Sequence, residues 1–270
     1  EWAVGAYATY GLGAQYVPMY EAQLPKEWEY ILKDCGAKIL LVANAKIAEK
    51  CRPFLASNGG IPTLEHIIEF GGKGPDGYDA ILEKGRAAPK PSYKPKPEDV
   101  CGFIYTSGTT GNPKGVLLTH NNITSNINAV HQIFPMASDD VSLSFLPWAH
   151  SFGQTCELHC LLSYGASMGL AESVATIIDN LAEVKPTLLF SVPRIFNRIY
   201  DGVNKKMIEA GGLKLKLFNA MLATAKHKKD LDALGQSSFF TNLKFKVLDK
   251  LVASKVRARS GGRLKYAFSG

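Results

Sequence analysis

The chain has 270 residues, 46% hydrophobic and 20% charged, which is enough to bury a large core and excludes disorder over most of its length. No apolar run reaches the roughly 20 residues of a membrane-spanning helix, and no charged-then-apolar leader opens the chain, so secretion has no support. The net charge of +7 would suit a nucleic-acid or membrane partner, but residues 203–270 carry 15 Lys/Arg against 4 Asp/Glu (+11) while residues 1–202 carry 16 against 20 (−4).

The chain enters at once into an apolar, small-residue run over residues 3–14 that has the character of a buried helix. Residues 15–20 (QYVPMY) are short and β-prone and predict a strand. Pro25 suits the first turn of a helix that runs on over residues 27–35, with Gly36 as its stop. Residues 38–42 (KILLV) suit a buried parallel strand. Asn44 is placed to cap a helix through residue 56, and residues 64–70 form the next strand. This alternation predicts an α/β fold with mostly parallel sheets flanked by helices. Prolines 89, 91, 95 and 97 make residues 89–99 an extended linker between a first subdomain, 1–88, and a second, 100–270.

Beyond the linker, residues 100–106 and 115–119 read as strands and 121–134 as a helix. Strands at 141–146, 166–170 and 187–192 then alternate with helices at 150–162, 173–184 and 193–210. Residues 203–262 break the rhythm: helix formers predominate, with helices expected near 213–233 and 239–258, before a last strand at 264–268. Both ends look cut from a longer protein, since neither has the polar, frayed character of a natural terminus.

The segment richest in chemistry is YTSGTTGNPKGV, residues 105–116. Glycines 108, 111 and 115 allow the backbone to approach a ligand with its N–H groups turned inward. The hydroxyls of Thr106, Ser107, Thr109 and Thr110 add donors, and Lys114 adds a positive charge at the far end. Each hydrogen bond to a charged oxygen contributes about 1.5–3 kcal/mol net, so several together can hold a triphosphate. The segment is not a Walker A loop, because Lys114 is followed by Gly115 and a β-prone run rather than by a helix.

This string resembles the phosphate-binding signature of the adenylate-forming superfamily, which includes acyl-CoA synthetases, luciferases, aryl-CoA ligases and peptide-synthetase adenylation domains. FLPWAHSF, residues 145–152, is similar to that family's segment ending in an active-site histidine. FSVPRIF, residues 190–196, is similar to the Val-Pro-Arg segment of the long-chain fatty acyl-CoA synthetases, and residues 268–270 look like the start of the Ser-Gly-Gly strand end. Pro193 and Ser269 stand 76 positions apart, room for the basic helical block, and an insertion of that kind resembles the long-chain branch.

The resemblance implies ligation of a fatty acid to CoA through an acyl-adenylate, with ATP and Mg2+ required, and a cytoplasmic enzyme with optional peripheral membrane contact and no nucleic-acid partner. It implies that Thr106, Ser107, Gly108, Thr109, Thr110, Gly111 and Lys114 hold the β- and γ-phosphates, and that Thr106 also touches magnesium. It places His150 beside the α-phosphate and acyl carboxylate, as catalytic and substrate residue, although the same position would suit a capping or core histidine. Gln154 would face the acyl tunnel or serve as a plain buried polar group, and Gly270 would begin the wall shared by adenine and acyl group. The Tyr-Gly-x-Thr-Glu string of the family, the ribose-binding aspartate and the C-terminal lysine do not occur in these 270 residues, so the chain by itself is expected to lack ligase activity. The other readings are an aryl- or medium-chain ligase and a non-catalytic nucleotide-binding or basic interaction module.

Four further groups carry less. Cysteines 35, 51, 101, 156 and 160 form no disulfide framework and point to a reducing compartment. Cys156, His159 and Cys160 share a helix face and could begin a metal site, but small buried cysteines explain them as well. Asp139-Asp140 reads as a turn before a strand, and the lysines at 205–206 and 226–229 read as solvated faces or as a surface drawn to anionic lipid.

Overall fold

The computed structural model describes residues 1–107, 111–259 and 261–270. The chain divides into two compact units, one of Glu1–Ile133 with Pro147–Leu158, the other of Phe134–Leu146 with His159–Gly270.

In the first unit, α1 (Trp2–Gly11) is the helix expected near the start, but Ala6 is its only buried residue among those described. Residues 15–20 form no strand: Tyr16 makes one isolated bridge to Gly102, and Pro18 lacks the N–H needed to extend a ladder. Helix α2 (Pro25–Asp34) starts with Glu27 accepting the Leu24 N–H at 2.8 Å and buries Trp28, Ile31 and Leu32 at helical spacing. Strand β1 (Ile39–Val42) follows. Asn44 then caps α3 (Ala45–Cys51) by accepting the Ile47 N–H at 3.1 Å. This helix is shorter than expected, because Pro53 converts its continuation into two 3-10 turns, Arg52–Phe54 and Ala56–Asn58.

Strand β2 (His66–Glu69) runs parallel to β1, and the two close over a core of Trp28, Leu32, Leu40, Val42, Phe54 and Leu64. Helix α4 (Tyr78–Ala87) was not anticipated. It buries no residue fully and begins at Gly77 without a side-chain cap, so it lacks a start signal, and its apolar stripe is short: Tyr78, Ile81 and Leu82, each half-buried. Strands β3 (Val100–Thr106) and β4 (Lys114–Thr119) form an antiparallel hairpin, the exception to the parallel pattern. Thr119 and Asn122 then exchange hydrogen bonds, each side chain accepting the other's backbone N–H, at the start of α5 (His120–Ile133).

In the second unit, β5 (Val141–Ser144), β6 (Ser167–Leu170), β7 (Leu188–Ser191) and β8 (Tyr266–Ser269) make one parallel sheet in the order β6-β5-β7-β8. Helix α6 (Cys160–Tyr164) precedes β6. Helix α7 (Ile177–Val184) starts four residues later than expected because Ser173 and Thr176 close a local turn on each other. Ile177 and Leu181 of α7 pack on Leu143 and Leu189 of the sheet, and the rings of Phe190 and Phe268 stack across paired strands at 4.7 Å.

Four helices complete this unit: α8 (Pro193–Ala210), α9 (Gly212–Ala233), α10 (Phe239–Leu248) and α11 (Ser254–Arg259). A π-helical turn, Asp249–Ala253, joins the last two. The result is the expected α/β architecture, with mostly parallel sheets flanked by helices and a basic helical block before the last strand.

Asp140 pins the starting edge of the sheet. It is 1% exposed, and its carboxylate accepts three hydrogen bonds: from Thr187 Oγ1 at 2.7 Å, Lys265 Nζ at 2.8 Å and the Ala137 N–H at 3.0 Å. Thr187 Oγ1 in turn accepts the Val141 N–H at 2.9 Å, and the Asp140 carbonyl accepts the Ser167 N–H at 3.0 Å. One residue therefore ties together the beginnings of all four strands.

Candidate functional site

The hairpin of β3 and β4 sets the geometry of the phosphate-binding candidate. Its last rung pairs Thr106 with Lys114, so these two stand directly opposite each other on one face of the sheet, at the mouth of the loop. Both are exposed, as are Ser107 and Gly111. Gly111 has a φ of +103°, a left-handed conformation that glycine adopts without strain. Gly108, Thr109 and Thr110 lie outside the described residues. A hydroxyl and an ammonium thus converge where the chain leaves and re-enters the hairpin.

The rung behind the mouth is fixed by packing. Tyr105 pairs with Gly115, and a Cβ on Gly115 would lie 3.0 Å from the Tyr105 ring, so the ring crosses where a side chain would otherwise stand. The Tyr105 hydroxyl donates to Asp34 at the end of α2 at 2.6 Å, and burial followed by this bond pushes its pKa up. A firmly packed strand end therefore carries the loop.

His150 is exposed on the turn before the helix that begins at Ser151. Its carbonyl accepts the Gln154 N–H at 2.9 Å, and its Nδ1 accepts the Phe152 N–H at 3.3 Å. With Nδ1 acting as acceptor, the neutral ring carries its proton on Nε2, which can donate to an anionic oxygen. The capping role and an outward donor are therefore compatible in one side chain.

The helix then widens into a π-helical stretch, Gly153–His159, a geometry frequent at functional sites. Gln154 is 3% exposed, and Glu157 and His159 are buried as well. Burial pushes the His159 imidazole down to about 4, so it is neutral near pH 7. Among the described residues, no group of three His, Cys, Asp or Glu side chains comes together as a metal site.

A series of aromatic contacts joins the His150 turn to the β3–β4 hairpin, and sequence reasoning missed it. Trp148 meets Trp2 of α1 edge-on, with centroids 5.4 Å apart, and Trp2 meets Tyr16 at 4.9 Å. Tyr16 bonds β3 directly: its N–H donates to the Cys101 carbonyl at 2.8 Å, and its own carbonyl accepts the Phe103 N–H at 3.2 Å. The three aromatic residues are too far apart in sequence for any spacing rule to link them.

Between those two bonds stands Gly102, where an added Cβ would lie 2.3 Å from the Tyr16 carbonyl oxygen. Gly102→Ala must therefore push Tyr16 off the strand. The expected result is a loss of about 2–3 kcal/mol in urea unfolding; an unchanged midpoint would contradict this account of the strut.

Gly270 belongs to the second unit. It follows β8 at the carboxyl end of the parallel sheet, where its N–H donates to the Ser191 carbonyl at 3.1 Å. In open α/β sheets this is the edge at which ligands bind, and Gly270 offers no side chain to obstruct it.

Comparison with known proteins identifies the family and the fold. A family model described as "AMP-binding enzyme" matches residues 1–258. Long chain acyl-CoA synthetase 6, peroxisomal, from Arabidopsis thaliana is 31% identical over the whole chain, which covers 38% of that protein. The long-chain-fatty-acid–CoA ligase FadD15 of Mycobacterium tuberculosis is 29% identical over the whole chain, covering 45% of it. The chain thus spans less than half the length of these relatives. Among solved structures, ATP-bound MatB from Rhodopseudomonas palustris superimposes with a TM-score of 0.59 at 25% identity, over 73% of this chain and 38% of that one. The anthranilate CoA ligase AuaEII in complex with anthranoyl-AMP gives 0.63 at 26% identity, over 73% and 39%.

Proposed function

Since the chain belongs to the AMP-binding enzyme family, we propose that the protein is a ligase that joins a long-chain fatty acid to CoA. The acyl carboxylate attacks the α-phosphorus of ATP and pyrophosphate leaves, giving an acyl-adenylate. The CoA thiol then attacks the acyl carbon, and AMP leaves as the thioester forms. The observation that carries this reading is the Thr106–Lys114 rung at the mouth of the Gly/Ser/Thr loop.

In this reading Thr106, Ser107, Gly108, Thr109, Thr110, Gly111 and Lys114 hold the β- and γ-phosphates. Lys114 offsets the charge that builds up as pyrophosphate leaves. His150, donating through Nε2, orients the carboxylate against the α-phosphate and stabilises the crowded oxygens there. Gln154 lines the acyl path, and Gly270 begins the wall for adenine and acyl group. For magnesium, Thr106 has the right chemistry, a hard neutral oxygen beside the phosphates, and would supply one ligand to an ion held chiefly by the triphosphate. When bound, such an ion neutralises phosphate charge.

The long-chain assignment rests on the relatives' names and on the helical block between Val-Pro-Arg and Ser-Gly. A panel of acyl substrates tests it, with pyrophosphate release by the full-length protein as the readout. The expected outcome is greatest kcat/KM for palmitate-length acids. Preference for benzoate-type or medium-chain acids would replace the substrate class, and no release with any acid would favour a nucleotide-binding module without chemistry.

A further inference from the structure

The basic block carries a surface that adenylation does not use. On α10, Phe239, Phe240, Leu243 and Val247 fall within an arc of about 100° at helical pitch. All four are exposed, Phe239 by 75% and Phe240 by 80%. This arc is not the face by which the helix packs. Thr241, Phe245 and Leu248 turn to the opposite side, where Leu248 is buried and the other two half-buried. Leu234, exposed at the end of α9, and Leu251, exposed just beyond α10, extend the apolar surface in both directions along the chain.

Lysines frame it. At the same pitch Lys244 borders one edge of the arc and Lys246 the other, and Lys250 follows at its end; all three are exposed. The only acidic residue between 233 and 270 is Asp249, and its carboxylate is already paired with Arg257, Oδ1 to Nη1 at 2.6 Å and Oδ2 to Nη2 at 2.7 Å. The lysine charges beside the stripe therefore have no acidic neighbour on α10 to neutralise them. Two adjacent phenyl rings on a strongly basic helix are matched by a surface that is apolar at depth and anionic at its face.

We propose that α10 docks on an anionic lipid bilayer, with Phe239 and Phe240 entering the boundary between headgroups and acyl chains and Lys244, Lys246 and Lys250 meeting lipid phosphates. An amphipathic helix lying in the interface binds through both its apolar area and its attraction to anionic lipid. The proposal is independent of the ligase reading, since docking requires no nucleotide.

The test is co-sedimentation of the full-length protein with vesicles of phosphatidylcholine, with and without about one-third phosphatidylserine. The expected result is binding to the phosphatidylserine vesicles that falls as salt is raised. Phe239→Ser with Phe240→Ser weakens it roughly tenfold. Lys244→Glu, Lys246→Glu and Lys250→Glu together weaken it roughly a hundredfold, whereas Lys205→Glu with Lys206→Glu, the same kind of change on α8, has a much smaller effect. Phe240→Trp gives a second readout that keeps an aromatic ring in place: the emission of the introduced indole shifts to the blue on phosphatidylserine vesicles only.

Four results overturn the proposal. They are failure to bind either vesicle, equal binding to both, binding indifferent to the phenylalanines, and an unshifted emission from the Phe240→Trp variant. Capture of an oligonucleotide in place of vesicles, or a concentration-dependent dimer abolished by the phenylalanine changes in a chain that ignores vesicles, would assign the stripe to those partners instead.

Discussion

Replacing Lys114 by alanine lowers ATP–pyrophosphate exchange by the full-length protein about a hundredfold, the cost typical of removing one preorganised donor from developing oxyanion charge. The side chain stands opposite Thr106 on the last rung of the β3–β4 hairpin, so its position is set by backbone register and not by a flexible tether. It is exposed and has no ion pair among the described residues, which leaves its charge available for a polyanion. For the same reason the change leaves folding intact, and the circular dichroism and thermal midpoint of the variant match those of the parent. The loss falls mainly on kcat if the lysine meets charge that develops as pyrophosphate leaves, and mainly on the KM for ATP if it only holds the ground-state triphosphate. Lys114→Arg keeps the charge with a different reach and recovers part of the loss. A Lys114→Ala protein with undiminished exchange would remove the loop from the phosphate site, as a basic module without chemistry requires.

What could be read from the chain beforehand follows how local each cause is. The candidate phosphate loop stood out because its chemistry lies in consecutive residues, glycines, hydroxyls and a lysine bounded by two strand-like runs, but that those two strands pair antiparallel as a hairpin was not legible in a chain whose other strands pair in parallel. Helix α8 was legible in full, since Pro193 opens it and Gly211 closes it. Helix α4 was not, because Gly77 gives its start no side-chain cap and its apolar stripe, Tyr78, Ile81 and Leu82, spans little more than one turn. The strand expected at 15–20 failed for the opposite reason. Its residues are β-prone, but Pro18 allows only the single Tyr16 bridge, and what holds that bridge is Gly102, far along the chain. The π-helical widening after His150 had no local sign, and neither did the contacts from Trp148 through Trp2 to Tyr16. Around the candidate site, then, the residues that would touch ligand announced themselves, while those that position them depend on contacts that only folding creates.

Asp140 is the clearest case of that second kind, and it carries the other large effect. Its place beside Asp139 suggested a turn, and it does accept the Ala137 N–H, but the same carboxylate also takes Thr187 and Lys265 from the starts of β7 and β8. Asp140→Ala leaves those donors around a buried gap and is expected to cost about 3 kcal/mol in urea unfolding, in the range for deleting a buried, hydrogen-bonded charge. Burial alone would raise the carboxyl's pKa, but the bonds from Lys265, Thr187 and the Ala137 N–H outweigh it and hold the group below the usual carboxylate range. The unfolded chain therefore takes up a proton here at a higher pH than the native one does. The stabilisation is complete above pH of about 4, the unfolded value, and is lost as the pH falls from there through the lower native value. Asp140→Asn keeps the shape and some of the bonds but cannot ionise, so its stability should lie below that of the parent at neutral pH and converge on it in acid. Lys265 has the opposite dependence: its pKa is raised by the bond to Asp140, so its share persists through neutral pH and is lost only as the pH climbs through that raised value. A parent and an Asp140→Asn variant that keep the same stability difference from pH 7 down to acid would show that the carboxylate's charge plays no part in holding the strands.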